Sequence, residues 1–304
     1  VFGLNRAGTD GWSDPWTISS LVGGGVLLVL FGIIESRVEH PLLPFRVFLN
    51  RTRAASFVAM FLAPAAMFAM FFYLSLYIQN VMGYSPLHAG FAFLPFSGGI
   101  VVAAGLSSSL VNRIDARYLA GVGTLMAAGA LYGFSTLPYD ATFPPPSTDI
   151  TGTYVTDILP FILLMSFGMG MTFVPLTLTA VHHIQARDSG VGSGVLNTMQ
   201  QVGGALGLAV LATVATQVMT DKGEEFEKAG AAAQAAGGQQ PSPDQLASMQ
   251  EIAGHQIFTA GATTAFLVGA AMMLAASLVV WIFLNVKHTE LATDGPEGAP
   301  VHVG

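Results

Sequence analysis

The side chains able to do chemistry inside this sequence are amides, phenols and thioethers. Asn197, Gln200 and Gln201 fall within one helical turn, beside Gly203, Gly204 and Gly207. Three amides in an apolar run are costly unless paired, so they must face protein or water. They serve either as hydrogen bonds between helices or as polar contacts for a small molecule. Met70, Tyr73, Tyr77 and Asn80 recur at i, i+3, i+7 and i+10, one face of a helix, with Gln79 nearby. That face is aromatic, polarizable and weakly polar. It suits the lining of a cavity for a large apolar molecule, or else an aromatic belt with its phenols at headgroup depth. Both sets favour noncovalent recognition over bond making.

Reactive groups are missing where catalysis or ion coupling would need them. None of the 18 Asp and Glu residues lies deep in an apolar run, and no Lys or Arg does. Ionisable groups inside a membrane usually mark proton or ion pathways, so any carboxylate relay must come from elsewhere. The absence of cysteine excludes disulfides, Cys-ligated zinc and thiol catalysis. His182 and His183 have no carboxylate at ligand spacing, so no metal site is expected. Ser193, between Gly192 and Gly194, does not complete an intramembrane serine-protease pattern, because Val191 interrupts it. There is no Walker sequence, and the glycines at 190–194 follow no strand. An enzyme, a resident cofactor and a nucleic-acid partner are not expected.

The elements that must position these groups are membrane helices. Mean hydropathy is +0.60, with 52% hydrophobic and only 10% charged residues. A soluble domain carries about 25% charged residues, so this chain needs lipid around it. Apolar runs at 16–34, 54–80, 88–111, 118–137, 157–181, 190–219 and 255–286 reach the ~20 residues that span a bilayer core. Pro64, Pro95 and Pro175 inside them are tolerated in membrane helices. The fold class is therefore an all-α polytopic membrane protein of about seven transmembrane helices.

Orientation follows from the basic residues. Loops with Arg37, Arg46, Arg51, Arg53, Arg113, Arg117, Arg187 and Lys287 alternate with loops holding only Arg6, Lys222 and Lys228. The positive-inside rule then predicts an external N-terminus (1–15), a cytoplasmic connector (35–53) and a cytoplasmic tail (287–304). The outer loops 138–156 and 220–254 read as solvated and flexible, with a short helix possible at 224–234. The tail reads as disordered. Asp188 and Ser189 are placed to cap the helix after them. The first residue is Val1, and an external start fits a sequence that begins inside a longer reading frame.

Three runs stand out: YLSLYIQNVMGYSPLHAG at 73–90 with the following Phe93-Leu94-Pro95, GMGMTFVPLT at 168–177 and DSGVGSGVLNTMQQVGGALG at 188–207. Together they resemble the fourteen-helix drug:proton antiporters of the major facilitator superfamily (EmrB/QacA type). The connector from Glu35 through His40-Pro41-Leu42-Leu43-Pro44 fits as well. The resemblance covers residues 16–286 in order. It implies that 16–34 is an extra central helix. It also implies that 54–286 is a six-helix C-terminal bundle of two inverted three-helix repeats. Loop 112–117 becomes the counterpart of a cytoplasmic gating loop. Arg113 and Arg117 match its basic positions, while Asn112 replaces its Asp and Asp115 its Gly. Those arginines serve as anchors, or as anchors that also hold one transport state closed.

The same resemblance implies efflux of a hydrophobic drug or antibiotic across a bacterial inner membrane by alternating access. Proton-coupling residues are expected in N-terminal helices absent from this sequence. Those helices, the bilayer, protons and the exported molecule are the expected partners. Met70, Tyr73, Tyr77, Asn80, Asn197, Gln200 and Gln201 are the cavity candidates, and Gly203 and Gly207 form a packing face. A solute or metabolite permease is the alternative, and a non-transporting scaffold or regulatory subunit a third reading.

Overall fold

The computed structural model describes residues 2–3, 6, 11, 13–38, 49–181, 189–236 and 242–289. Among these are eight α-helices: α1 (Pro15–Arg37), α2 (Arg51–Leu76), α3 (Pro86–Ala92), α4 (Leu94–Leu110), α5 (Ala116–Phe134), α6 (Leu159–Val181), α7 (Ser189–Ala235) and α8 (Pro243–Phe283). Six spans are long and apolar enough to cross a membrane, α3 and α4 counting as one. The seventh predicted span, α5, has 19 residues and includes Arg117 and the glycines at 121, 123, 129 and 133, which lower its hydropathy. It still turns an apolar stripe outward through Tyr118, Val122, Leu125 and Tyr132.

Local sequence explains most helix boundaries. Asp14 caps α1 by accepting from the Thr17 amide, and Asn50 caps α2 by accepting from Arg53. The helix α2 continues into a π-helical turn at Tyr77–Val81, and Gly83, at φ 70°, turns the chain into α3. Pro95 lies in the first turn of α4, where its missing N–H is harmless, so the run predicted at 88–111 breaks at Phe93. Another π-helical turn, Tyr154–Ile158, leads into α6.

The six spans from α2 to α8 pack across two triplets rather than within them. The pairs α2–α7 and α6–α4 are both extensive, as are α6–α5 and α2–α8. Exchanging the triplet α2, α3/α4, α5 for the triplet α6, α7, α8 maps each of these pairs onto the other. That is the contact signature of two three-helix repeats related by a pseudo-two-fold axis. The α7–α8 contact has no α4–α5 counterpart of similar extent, because α7 and α8 also run together beyond the bundle.

Close packing depends on small residues. A Cβ on Gly123 would lie 2.6 Å from the Gly168 carbonyl oxygen, and one on Gly168 would lie 2.7 Å from the Ala127 nitrogen. The helices α5 and α6 therefore meet backbone to backbone. Between α2 and α6, the buried hydroxyls of Ser56 and Thr179 share a 2.7 Å hydrogen bond. With apolar tails on all sides, such contacts and dispersion hold the bundle together. By contrast, α1 exposes nearly all of its apolar side chains and buries only Thr17 and Glu35.

Polar contacts identify the two ends. The start of α2, the start of α5 and the end of α8 gather at one end, through Arg51 on the Ile282 carbonyl and Arg117 on the Leu284 carbonyl. The end of α2 and the start of α6 gather at the other, where the Gly152 amide donates to the Tyr77 hydroxyl at 2.8 Å. The basic residues Arg51, Arg53, Arg113, Arg117 and Lys287 thus share one end, as their alternation along the chain requires.

At the opposite end, loop 138–156 differs from expectation, while in 220–254 the helix expected at 224–234 is present as the continuation of α7. Loop 138–156 is tied down rather than free: the buried Gln256 accepts from the Asp140 amide and donates to Asp149 and the Ile150 carbonyl. His255 meets Asp149 at 2.6 Å beside it. Buried amide groups demand partners, and the loop backbone supplies them. Within 220–254, α7 continues to Ala235 and α8 begins at Pro243 behind a capping box of Ser242 and Gln245. At 1.5 Å per residue, the 47 residues of α7 reach ~70 Å, far beyond a ~30 Å hydrocarbon core. The Ala- and Glu-rich composition that looked like a solvated loop is equally a good helix former.

Candidate functional site

The sequence-derived cavity face divides in two. Met70, Tyr73 and Tyr77 are buried, at 0%, 2% and 0% exposure. The Tyr73 ring sits against Phe258 and Phe266 of α8, both with centroids 6.3 Å away. The Tyr77 hydroxyl accepts from the Gly152 backbone and so pins loop 138–156. These three residues are core of the bundle in this structure, not an open lining. Asn80 is exposed on the π-helical turn, and Gln79 bonds back to Ser75 at 2.9 Å.

On α7 the amides are turned outward. Asn197 and Gln201 are exposed, and the half-buried Gln200 lies 3.6 Å from the sulfur of Met60. Met70 and Tyr73 therefore do not share a space with Asn197 and Gln201: the first two are enclosed in the bundle core, and the second two are exposed.

Exposed aromatic rings of α2 beside α7 are ones the sequence reading missed. Gly204 packs beneath the ring of Phe68, which is 39% exposed, and Phe72 one turn on is 46% exposed. Phe61, Phe68 and Phe72 follow at i, i+7 and i+11, a second stripe on α2 displaced from that of Tyr73. That spacing was visible, but a stripe of phenylalanines in an apolar helix carries no polar mark to set it apart. The exposed face thus combines phenyl rings of α2 with carboxamides of α7. It offers broad apolar contact with a few hydrogen-bond groups, the mix found in small-molecule sites.

Gly203 and Gly207 fix the spacing of that face. A Cβ on Gly203 would run into the Phe61 backbone, and one on Gly207 into Ala65. The small-residue face expected at these positions therefore packs on α2. A shallow cleft of about 470 Å3 between α4 and α6, lined by Ser108, Val111, Phe173 and Thr177 among others, opens elsewhere.

The loop at 112–117 fastens elements within the bundle. The Arg117 guanidinium donates to the Leu284 carbonyl and, at 3.3 Å, to the Asn285 side chain. Arg51 donates to the Ile282 carbonyl at 2.8 Å and lies 4.8 Å over the Phe283 ring. Two cations thus cover the free carbonyls at the C-terminal end of α8, where the helix dipole is negative. Asp115 accepts from the backbone N–H and the ring Nδ1 of His288, both at 2.8 Å. The first residues of the predicted tail are therefore held. The His288 N–H, then its ring, keep the Asp115 carboxyl below the usual carboxylate range. With the folded value depressed, the tie contributes at neutral pH and is lost only as pH falls through that lowered value. Arg113 is exposed. Neither Arg51, Asn285 nor His288 was a sequence-level candidate, since only the fold brings them beside Arg117 and Asp115.

Among the described residues no group of His, Asp and Glu is placed to hold a metal. His182, His183, Asp188 with its cap, the Pro41–Pro44 connector and residues 290–304 lie outside the described residues.

Residues 8–208 match the sequence profile of the Major Facilitator Superfamily. The puromycin resistance protein pur8 of Streptomyces alboniger is 38% identical over 208 residues, covering 68% of this chain and 40% of that protein. The tetracenomycin C resistance and export protein of Streptomyces glaucescens is 30% identical, covering 99% of this chain and 56% of that protein. The cephamycin export protein CmcT of Amycolatopsis lactamdurans is 34% identical over 216 residues, 70% of this chain and 42% of that protein. The chain spans about half the length of these relatives. A profile match over most of the chain, on a bundle of paired three-helix repeats, identifies it as a multi-pass membrane protein of the Major Facilitator Superfamily.

Proposed function

We propose that this chain belongs to a secondary efflux transporter for hydrophobic, antibiotic-sized molecules, and that the exposed face of α2 and α7 borders the substrate path. The observation that carries this reading is that exposed phenyl rings of α2 (Phe68, Phe72) and exposed carboxamides of α7 (Asn197, Gln201) stand on two helices packed together at Gly203, Gly204 and Gly207. A sugar or organic-acid permease would need charged groups there, and the exposed residues described on this face carry amides, hydroxyls and phenyl rings but no charge. The relatives named for resistance and export support the direction. Coupling is to protons in this reading. The chain is the C-terminal part of a fourteen-helix transporter, and the coupling carboxylates stand outside it. The membrane is the bacterial inner membrane, and the arginine-rich end faces the cytoplasm. A reporter fused after Lys287 should then be cytoplasmic and one inserted at Pro241 external; both on one side would overturn this orientation.

The direct test is drug accumulation in everted vesicles carrying the full-length gene product. Accumulation driven by a proton gradient and collapsed by a protonophore is expected; gradient-driven exclusion would indicate an importer. Gln201→Ala and Asn197→Ala should alter the relative transport of different drugs several-fold while leaving protein amount unchanged. Identical profiles for wild type and both variants would remove this face from the substrate path.

A further inference from the structure

The extension of α7 and α8 beyond the bundle forms an open cleft of about 670 Å3. Such a volume is ordinary for a small-molecule site. Its walls are Phe143 from loop 138–156, Phe226 from α7, and Leu246 and Met249 from α8. The two phenyl rings meet edge to face at 5.1 Å, which fixes the loop over the helices. Only a few polar groups enter this lining, and one of them is the carboxylate of Glu227.

Charge in this region is unevenly matched. Segment 220–254 holds six acids, at 221, 224, 225, 227, 244 and 251, against two lysines. Both lysines are engaged: Lys222 pairs with Glu225 at 2.7 Å, and Lys228 with Glu224 at 2.9 Å. Asp221 accepts from Gln217 at 2.9 Å. Glu227 makes no ion pair or hydrogen bond with another described residue. A carboxylate at the edge of an aromatic and thioether pocket attracts a cation with an apolar body, through direct charge attraction and through the faces of the rings.

We propose that this cleft is a binding site for lipophilic organic cations, separate from the face of α2 and α7. It does not depend on the transport reading, since binding at the hairpin requires neither a gradient nor a second half. The probes are tetraphenylphosphonium and tetraphenylborate, which match in shape and differ in sign. Ala231, exposed on the cleft wall, becomes the single cysteine (Ala231→Cys) in purified full-length protein with any other cysteines replaced. Tetraphenylphosphonium should slow maleimide labelling there at least threefold and saturably, with little effect from tetraphenylborate. Adding Glu227→Gln should remove the protection without changing the labelling rate in its absence. A cysteine at exposed Asn112, at the other end of the bundle, should be unaffected. Equal protection by both ions, protection retained in Glu227→Gln, equal slowing at position 112, or no protection would each overturn the proposal.

Discussion

Alanine in place of Tyr73 is expected to destabilise the folded bundle by about 3–5 kcal/mol, the range for removing a large aromatic from a packed core. Tyr73 is 2% exposed and touches the rings of Phe72, Phe258 and Phe266. In lipid the loss is chiefly of packing, since the surroundings are apolar in either state and the void left behind has no partner atoms. The contacts removed join α2 to α8, one of the pairs that cross between the two triplets. Tyr73→Phe keeps the ring and should retain most of the stability. The check is thermal unfolding of the detergent-solubilised protein, followed by the fraction that stays monodisperse after heating. Wild-type stability in Tyr73→Ala, with only an altered drug profile, would show that this ring faces a substrate path.

The contrast between Tyr73 and Phe68 shows where sequence reading stops in a membrane helix. The helix α2 is apolar nearly all round, so its pattern says that it is enclosed but not which side meets which neighbour. Tyrosines stand out because a hydroxyl in lipid needs a reason. Here the reason for Tyr77 is the Gly152 amide of loop 138–156, 75 positions away. Spans, the crossing of basic loops to one end, and the close approach at Gly203 and Gly207 depend on composition and spacing, and those were legible. Pro95 and Pro175 were legible as residues within spans, but the break at Phe93 needed the placement of α4. The helical hairpin of α7 and α8 was hidden for a different reason. Glu, Lys, Ala and Gln serve equally in a solvated loop and on an exposed helix, and only the capping residues Ser242 and Gln245 mark its second arm. The tie of Arg117 and Asp115 to residues 284–288 joins positions some 170 apart, which no local pattern encodes.

Leucine at Gly207 is expected to have the larger effect on assembly, because it strikes the seam that sets the amide face against α2. A Cβ alone at this position would collide with Ala65, and at Gly203 with the carbonyl of Phe61. Neither obstacle is the flexible end of a long side chain, so relief requires moving α7 as a body. Overpacking a tight core costs about 1–3 kcal/mol where side chains can adjust, and more where backbone must shift. Displacing α7 would also lift Gly204 off the ring of Phe68 and shift Asn197 and Gln201 relative to α2. Loss of thermal stability and loss of transport should therefore appear together in Gly207→Leu, with Gly207→Ala intermediate. Gly194 provides the comparison on the same helix, since nothing lies within 4 Å of a Cβ added there. Gly194→Ala should be neutral or stabilising by up to ~1 kcal/mol, from helix propensity alone. Melting curves for the three variants, beside drug accumulation in vesicles, separate the cases. Equal stability of Gly207→Leu and Gly194→Ala would mean that α2 and α7 do not meet at this seam.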